Sequence, residues 1–307
     1  MSKYLVTGGA GFIGSHIVRK LLDGGHDVRV LDNLSTGRRE NLAGLANVEF
    51  LHADIRDPDA CDGACRDAEY VIHQAAFISV PASMKDPRTA HDVNVTGTLN
   101  LMEASVRHGV RRFVYASSCA VYGDAASERL AETEPPRPLS PYASTKLICE
   151  QYADLYGRCF GLSCVGLRYF NVYGPRQDPQ SEYAAVIPKF LERVTRGDVP
   201  AIFGDGSQTR DFIFVGDVAA ANLAACRADT GGSAVVNVAS GKSTTVLELA
   251  RTIMALAGMR GSPRFEPPRA GDILHSAAET DGMRDMLSLP DPVPWTGIGN
   301  TLAWLTG

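Results

Sequence analysis

The first half of the chain is divided by short apolar blocks at residues 3–7, His26–Leu31, Val48–Leu51, Tyr70–His73, Arg112–Ser117 and Leu162–Leu167. Each has the length of a strand. Between them lie longer segments, Phe12–Leu22, Val93–His108 and Tyr142–Tyr156, with apolar residues three and four apart. That spacing predicts helices. Gly24-Gly25 and Gly109 close two of them, as glycine does where a helix must reverse. Strands alternating with helices predict an α/β fold, a Rossmann-type doubly wound parallel sheet with helices on both faces. Crossovers are expected to be right-handed. Ligands are expected at the carboxyl ends of the strands, where the strand order reverses.

Beyond about residue 170 the pattern loosens. Gly174-Pro175, Gly204-Asp205-Gly206, Gly231-Gly232 and Pro267-Pro268 punctuate it. The expected organisation is a cofactor-binding Rossmann domain over 1–170, with a returning segment at about 211–240. A smaller C-terminal α/β substrate domain is expected over 171–307. Within the returning segment, Val235–Val238 is read as a strand that rejoins the main sheet.

Composition narrows the class without naming a reaction. With 307 residues, 45% of them apolar, the chain can bury a large core. The net charge is −5 and no long charged run occurs, so neither nucleic acid nor an anionic membrane is an expected partner. The N-terminus leads directly into a strand-like run, and no stretch of 18 apolar residues follows. A cytoplasmic location is expected. Seven cysteines, an odd number without a CxxC pair, are read as buried reduced thiols rather than disulfides or a metal site. Cys61/Cys65 and Cys159/Cys164 are the spacings that would suit a metal. No metal is expected.

Candidate chemistry begins at Gly8-Gly9-Ala10-Gly11-Phe12-Ile13-Gly14. Glycines at 8, 11 and 14 lie between a predicted strand and a predicted helix. Missing side chains let a pyrophosphate approach the backbone, and the helix N-terminus adds N–H donors and a positive dipole end. A glycine turn alone is weak evidence. Here Asp32 answers it from the end of the second strand, 18 residues after Gly14. An acid there accepts the ribose hydroxyls of NAD and repels the 2′-phosphate of NADP, while Arg38 and Arg39 keep NADP as an alternative. Gly8, Gly11, Phe12, Ile13, Gly14, Asp32 and Asn33 are therefore candidate NAD contacts. Asp54 and Ile55 follow the third strand and are expected at the adenine. Gln74, Ala75 and Ala76 follow the fourth, where small residues let the chain run beside a dinucleotide.

Tyr142 and Lys146 are four residues apart. One helical turn puts the phenol and the ammonium on the same face. A free phenol has a pKa of about 10, and a lysine cation with a positively charged nicotinamide would favour phenolate. Tyr142 is then a candidate general base, although YxxxK also occurs on plain surface helices. Ser118, 24 residues earlier, could share a proton with that phenol. Ser117 is read as a turn residue.

Together these residues resemble the extended short-chain dehydrogenase/reductase family, specifically its nucleotide-sugar epimerases. The resemblance runs through TGGAGFIGS, HQAA, SSCAVYGD, PYASTK, RYFNVYGPRQ, GDGSQTRDF and PPRAGD. It implies tightly held NAD and transient oxidation of a sugar at C4, with Ser118, Tyr142 and Lys146 as the catalytic set. Sugar-nucleotide 4,6-dehydratases of the family carry Thr-Asp-Glu where this chain has Ser118-Cys119-Ala120. Elimination of water needs an acid and a base beyond the tyrosine, so the resemblance implies epimerisation of a UDP-hexose. A UDP-glucuronate epimerase or a net nucleotide-sugar oxidoreductase is the alternative, and a non-catalytic NAD sensor is disfavoured because both Tyr142 and Lys146 are retained.

At the nucleotide end the resemblance implies Asn171, Arg210 and Arg269 on the diphosphate, Val186 and Ile187 on the uridine, and Asp272 on its ribose. Ser79, Val80, Asn94 and Cys119 would lie near the sugar. A small Ser276 would leave room for a 2-acetamido group, which favours UDP-GlcNAc/UDP-GalNAc beside UDP-glucose/UDP-galactose. Ser276 followed by Glu279 also reads as a helix cap. Arg137 and Arg176 are read as surface residues. The segments 92–108 and 142–156 resemble the helices that pair in homodimers of this family.

Overall fold

A computed structural model describes residues 1–125, 127, 129–179, 186–268, 277–293 and 295–306. Its first seven strands in chain order are β1 (Lys3–Thr7), β2 (Asp27–Asp32), β3 (Val48–His52), β4 (Tyr70–His73), β5 (Arg112–Ser118), β6 (Cys164–Tyr169) and β7 (Asn171–Tyr173). Six more follow: β8 (Ala201–Phe203), β9 (Thr209–Arg210), β10 (Phe212–Phe214), β11 (Ala234–Val238), β12 (Thr244–Thr245) and β13 (Arg264–Glu266). The helices are α1 (Phe12–Asp23), α2 (Pro58–Cys65), α3 (Val80–Lys85), α4 (Pro87–His91), α5 (Gly97–Arg107) and α6 (Pro141–Phe160). In the second half come α7 (Val186–Thr195), α8 (Val215–Arg227), α9 (Val246–Leu256), α10 (Asp281–Asp285) and α11 (Ile298–Thr306).

Seven strands form one sheet in the order β11-β6-β5-β4-β1-β2-β3, and every pairing in it is parallel. The chain steps outward from β1 to β3, then restarts at β4 on the other side of β1. The crevice at that reversal lies between the carboxyl ends of β1 and β4, where Gly8 and Gln74 begin their loops. The sheet is doubly wound, as its sequence pattern predicts.

Alternation along each strand sorts side chains between two layers. Tyr4 and Val6 join Ile17, Val18 and Leu21 of α1 with Val218 and Ala221 of α8. Leu5 faces the other way, toward Cys61 of α2, Leu101 of α5 and Ala153 of α6. A third core, including Phe190, Leu191, Leu249 and Ile253, packs α7 against α9. Only short strands accompany it: β7 with β10, β9 with β12, and β8 with β13. Among the described residues no helix is long and apolar enough to cross a membrane.

Three boundaries differ from the sequence expectation for local reasons. The helix expected at 93–108 begins earlier, at Pro87, because Asp86 caps Thr89 N and proline suits the first turn. It then widens into a π turn over Asp92–Thr96. There the Asn94 carbonyl accepts from Thr98 Oγ1 and Cys149 Sγ. The sixth strand starts at Cys164 rather than Leu162, because Gly161 (φ 72°) turns the end of α6 and Leu162 N bonds back to Tyr156 O. Ser117 is a buried strand residue, not a turn residue.

The cysteine expectation needs one correction. Cys61, Cys65, Cys149, Cys164 and Cys226 are buried free thiols, but Cys119 is half-buried and Cys159 is exposed. No metal-binding cluster occurs among the described residues.

Gly14 gives a direct test of the loop packing. Alanine would raise helix propensity by about 1 kcal/mol. Its Cβ would however lie 2.1 Å from Gly8 O, and backbone cannot yield as a flexible side chain can. Gly14→Ala is expected to destabilise the protein by about 1–3 kcal/mol, read from its urea midpoint. Stabilisation would contradict the close approach.

Candidate active site

The glycine loop is clamped before it meets any ligand. Gly8 N donates to Leu31 O, Gly11 N to Gly8 O, and both Arg38 N and Asn41 Nδ2 donate to Ala10 O. A Cβ on Gly8 would lie 2.6 Å from Ala75 N, so the chain after β4 runs directly against the loop. Gly11 caps α1 without a side-chain hydrogen bond, and the first turn holds no acid. A Cβ there would meet only Gly8 O, at 3.1 Å. Free helix N–H groups beside open space suit a diphosphate. Phe12 and Ile13 are half-buried beside them.

Asp32 is buried at the end of β2. Its carboxylate accepts from Ala10 N at 2.9 Å and Leu34 N at 2.8 Å. Two of about four lone-pair sites stay available, enough for a ribose diol. Arg38 and Arg39 point to other tasks. Arg38 pairs with Asp178 at 2.7 Å, and Arg39 stacks on Phe50 at 4.7 Å. Neither supports the NADP alternative. These features fit NAD.

The adenine end is less direct. Asn33 Nδ2 donates to Asp54 Oδ2 at 2.8 Å. The Arg56 guanidinium beside Asp54 holds that carboxyl well below its ordinary range. Ile55 is buried under α5, where a Cβ on Gly97 would lie 2.5 Å from its Cδ1, so its side chain is packing. Gln74 is tied to Asn222 and Tyr169, Ala75 N donates to Thr7 Oγ1, and Ala76 is half-buried.

Pro141 opens α6, and Ser140 caps it by accepting from Ala143 N. Tyr142 and Lys146 then face the end of β5. The Ser118 hydroxyl lies beside the Tyr142 phenol and favours its ionised form. Lys146 Nζ donates to Ala116 O at 2.8 Å and lies 5.9 Å from the Tyr142 ring centre. Burial pushes the phenol up to about 12 and the ammonium downward. The phenolate expected from the lysine and the nicotinamide together therefore has to overcome this burial. Behind the pair, His73 contacts Thr7 Oγ1 at 2.6 Å and Thr98 Oγ1 at 3.0 Å. Burial pushes its imidazole down to about 3, so it is a neutral support.

Other expected positions separate. Asn94 is buried, and its amide is engaged by Phe77 N, Phe77 O and Thr145 Oγ1. It braces the Phe77 loop rather than presenting a side chain to a sugar. Ser79 caps α3, and Val80 is 40% exposed beside it. Cys119 lies next to Tyr142, and burial pushes its thiol up to about 12. Asn171 Nδ2 donates to Asp211 O. Arg210 is half-buried on β9. Val186 is partly buried, whereas Ile187 belongs to the C-terminal core and offers no open surface to a uridine. Arg137 is exposed. Arg176, read as a surface residue, is half-buried, with its Nη1 enclosed and without a partner. Arg269, Asp272 and Ser276 lie outside the described residues.

Two further side chains organise the site. Ser83 is fully buried. It accepts from Tyr142 N at 3.1 Å and donates to Val80 O at 2.7 Å, tying α3 to α6. No local pattern marks it, because 59 residues separate the partners. Asp211 accepts from Ser240 N, Ser240 Oγ, Gly241 N and Ala278 N. It lies within the TRDF motif, but its contacts all come from distant loops.

Residues 4–239 match the NAD dependent epimerase/dehydratase family. A UDP-glucose 4-epimerase of Mycolicibacterium smegmatis is 43% identical over 304 residues, covering 97% of this chain and 96% of that protein. Among solved structures, a UDP-N-acetylglucosamine 4-epimerase of Methanobrevibacter ruminantium, in complex with UDP-N-acetylmuramic acid, superposes with a TM-score of 0.94 at 39% identity. The match covers 99% of this chain and 98% of that one. The Thermus thermophilus UDP-glucose 4-epimerase, in complex with NAD, gives 0.89 at 41% identity and covers 99% of each chain.

The raised phenol generates a titration test. Without cofactor, Tyr142 is expected to stay protonated up to about pH 10, judged by the 295 nm difference between wild type and Tyr142→Phe. Adding NAD, whose nicotinamide carries positive charge, is expected to move ionisation to lower pH. An unchanged difference spectrum would refute the electrostatic account.

Proposed function

The chain belongs to the NAD dependent epimerase/dehydratase family, and from that premise we propose that it epimerises a UDP-hexose at C4 through a transient 4-keto sugar. Bound NAD supplies the hydride acceptor and donor. Tyr142 takes the proton of the 4-hydroxyl, with Ser118 sharing it, and returns it to that oxygen once the 4-keto sugar has turned to present the opposite face of C4 for hydride return. Lys146 supplies positive charge beside the phenolate and contacts the nicotinamide ribose. Asp32 and Asn33 hold the adenosine ribose, and the loop from Gly8 to Gly14 holds the diphosphate. Residues 1–170, with the returning segment, carry this cofactor work, and 171–307 bind the nucleotide sugar.

The observation that carries this reading is the meeting of Ser118, Tyr142 and Lys146 at the end of β5, with no acidic pair beside them among the described residues. Elimination or decarboxylation needs further acid–base groups. Cys119 is a protonated thiol at working pH, and Ala120 has no titratable group. The buried carboxylates of Asp211 and Glu150 are each engaged within the protein. Among the described residues, no free acid–base group stands ready to divert an oxidised sugar from hydride return.

For the sugar, the small Ser276 favours UDP-GlcNAc/UDP-GalNAc beside UDP-glucose/UDP-galactose. Asn171, Arg210, Arg269 and Asp272 serve the nucleotide end. The enzyme is read as a cytoplasmic homodimer paired through α5 and α6. The latter helix leaves Leu155 at 39% and Phe160 at 57% exposure, apolar surface that a second copy would cover.

Purified protein is expected to interconvert these UDP-sugars with no added NAD and no net NADH absorbance. Stoichiometric NADH release would refute epimerisation in favour of net oxidation. Tyr142→Phe is expected to lower kcat by at least about 10²-fold. Ser276→Tyr is expected to suppress acetamido substrates far more than UDP-glucose, and equal losses would remove Ser276 from the specificity wall.

A further inference from the structure

Helix α6 presents Tyr142, Lys146 and Glu150 at four-residue spacing, on one stripe over three successive turns. Each side chain meets the last residues of β5. Tyr142 meets the Ser118 hydroxyl. Lys146 meets Ala116 O at 2.8 Å. Glu150 Oε1 accepts from Ser117 Oγ at 2.5 Å. The third contact is the most deeply built. Glu150 Oε1 and Oε2 also accept from Arg168 Nε at 2.9 Å and Nη2 at 2.7 Å. Ser117, Glu150 and Arg168 are 3%, 7% and 5% exposed. Arg168 in turn lies 4.7 Å over the Tyr122 ring, at the end of the turn that carries Cys119.

A buried ion pair of this kind is a poor device for stability alone. Desolvation cancels much of its Coulomb gain, and apolar replacements are often neutral or better. Its geometric effect is large. A bidentate guanidinium fixes the carboxylate in a plane, and the carboxylate fixes Ser117. Ser118, one peptide further along, is thereby held against a phenol two helical turns from Glu150.

Resting on the epimerase reading, we infer that Glu150 is a positioning residue for the proton pair: through Ser117 and Arg168 it sets the register of β5 against α6 and so holds Ser118 and Lys146 in place around Tyr142. Glu150 is not a catalytic residue, since its oxygens are held by Ser117 and Arg168. Its charge has a second effect. The groups that face Lys146 are Glu150 and Cys149 on its own helix, His73 on β4 and the Tyr142 ring. Cys149 and Glu150 both raise the ammonium against its burial; with His73 neutral and the Cys149 thiol itself pushed up by burial, Glu150 is the carboxylate among them.

The experiment uses the full chain with its bound cofactor. Ser117→Ala leaves the Glu150–Arg168 pair intact and removes one rung. It is expected to lower kcat for UDP-hexose epimerisation about tenfold, with KM changed less than twofold and a near-native melting temperature. Ser117→Thr, which keeps the hydroxyl, is expected to restore the rate. Glu150→Gln is expected to move the alkaline limb of the pH–rate profile to lower pH. The sign follows because loss of the carboxylate lowers the Lys146 pKa, and protonated lysine is the supporting form. The same shift is expected in the NMR titration of 13Cε-labelled lysine, identified with Lys146→Met. That titration needs no substrate, so it still tests the role of Glu150 if wild-type protein proves not to epimerise UDP-hexoses. An unchanged kcat in Ser117→Ala, or an unmoved Lys146 titration in folded Glu150→Gln, would overturn the inference.

Discussion

Lys146 donates to the carbonyl of Ala116 across the seam between α6 and β5, and the site is organised around that seam. On one side of the hydrogen bond lies the contact between Tyr142 and Ser118, on the other the contact of Glu150 with Ser117 and Arg168. Ser83 holds the helix from its N-terminal end through Tyr142 N. The helix cannot slide along the strand without breaking several buried hydrogen bonds together, and unpaired polar groups at such depth are costly. That constraint keeps a phenol and an ammonium apart from bulk water at a fixed separation. The same burial sets their chemistry. It pushes the phenol up and the ammonium down, so each charged form needs support from its surroundings.

The cofactor cleft is built by the opposite means. Where α6 is pinned by side chains, the loop over Gly8–Gly14 works by lacking them. Gly8 lies against Ala75, and Gly14 against the Gly8 carbonyl, closer than any Cβ would allow. The space that results is bordered by the uncapped N-terminus of α1 and by Asp32, whose two internal hydrogen bonds hold it still without saturating it. Pinning on one side of the crevice and vacated volume on the other leave Tyr142 at the edge of the space beside the glycine loop.

The second half of the chain depends on one buried carboxylate. Asp211 gathers the 240 turn and Ala278 by four hydrogen bonds, while its own carbonyl accepts from Asn171. Segments far apart in sequence therefore meet where β6 ends. With β11 paired to β6 in the main sheet, the two halves share a framework.

The sequence by itself determined the alternation of strand and helix, the glycine spacing, the acid ending β2 and the Tyr142–Lys146 turn. Each is a local property, set by side-chain periodicity or by a backbone that tolerates no side chain, so each is legible over a few residues. Glu150 sits on the same readable stripe, but its role waited on Ser117 and Arg168. Distances between elements were not legible. Only the tertiary structure turned Asn94 into a brace, put Ile187 in a core, enclosed the Arg176 Nη1 and raised the phenol of Tyr142. Burial and hydrogen-bond partners depend on which strands and helices close over a residue, and Ser83 meeting Tyr142 or Asp211 meeting Ala278 joins positions whose sequence separation carries no pattern.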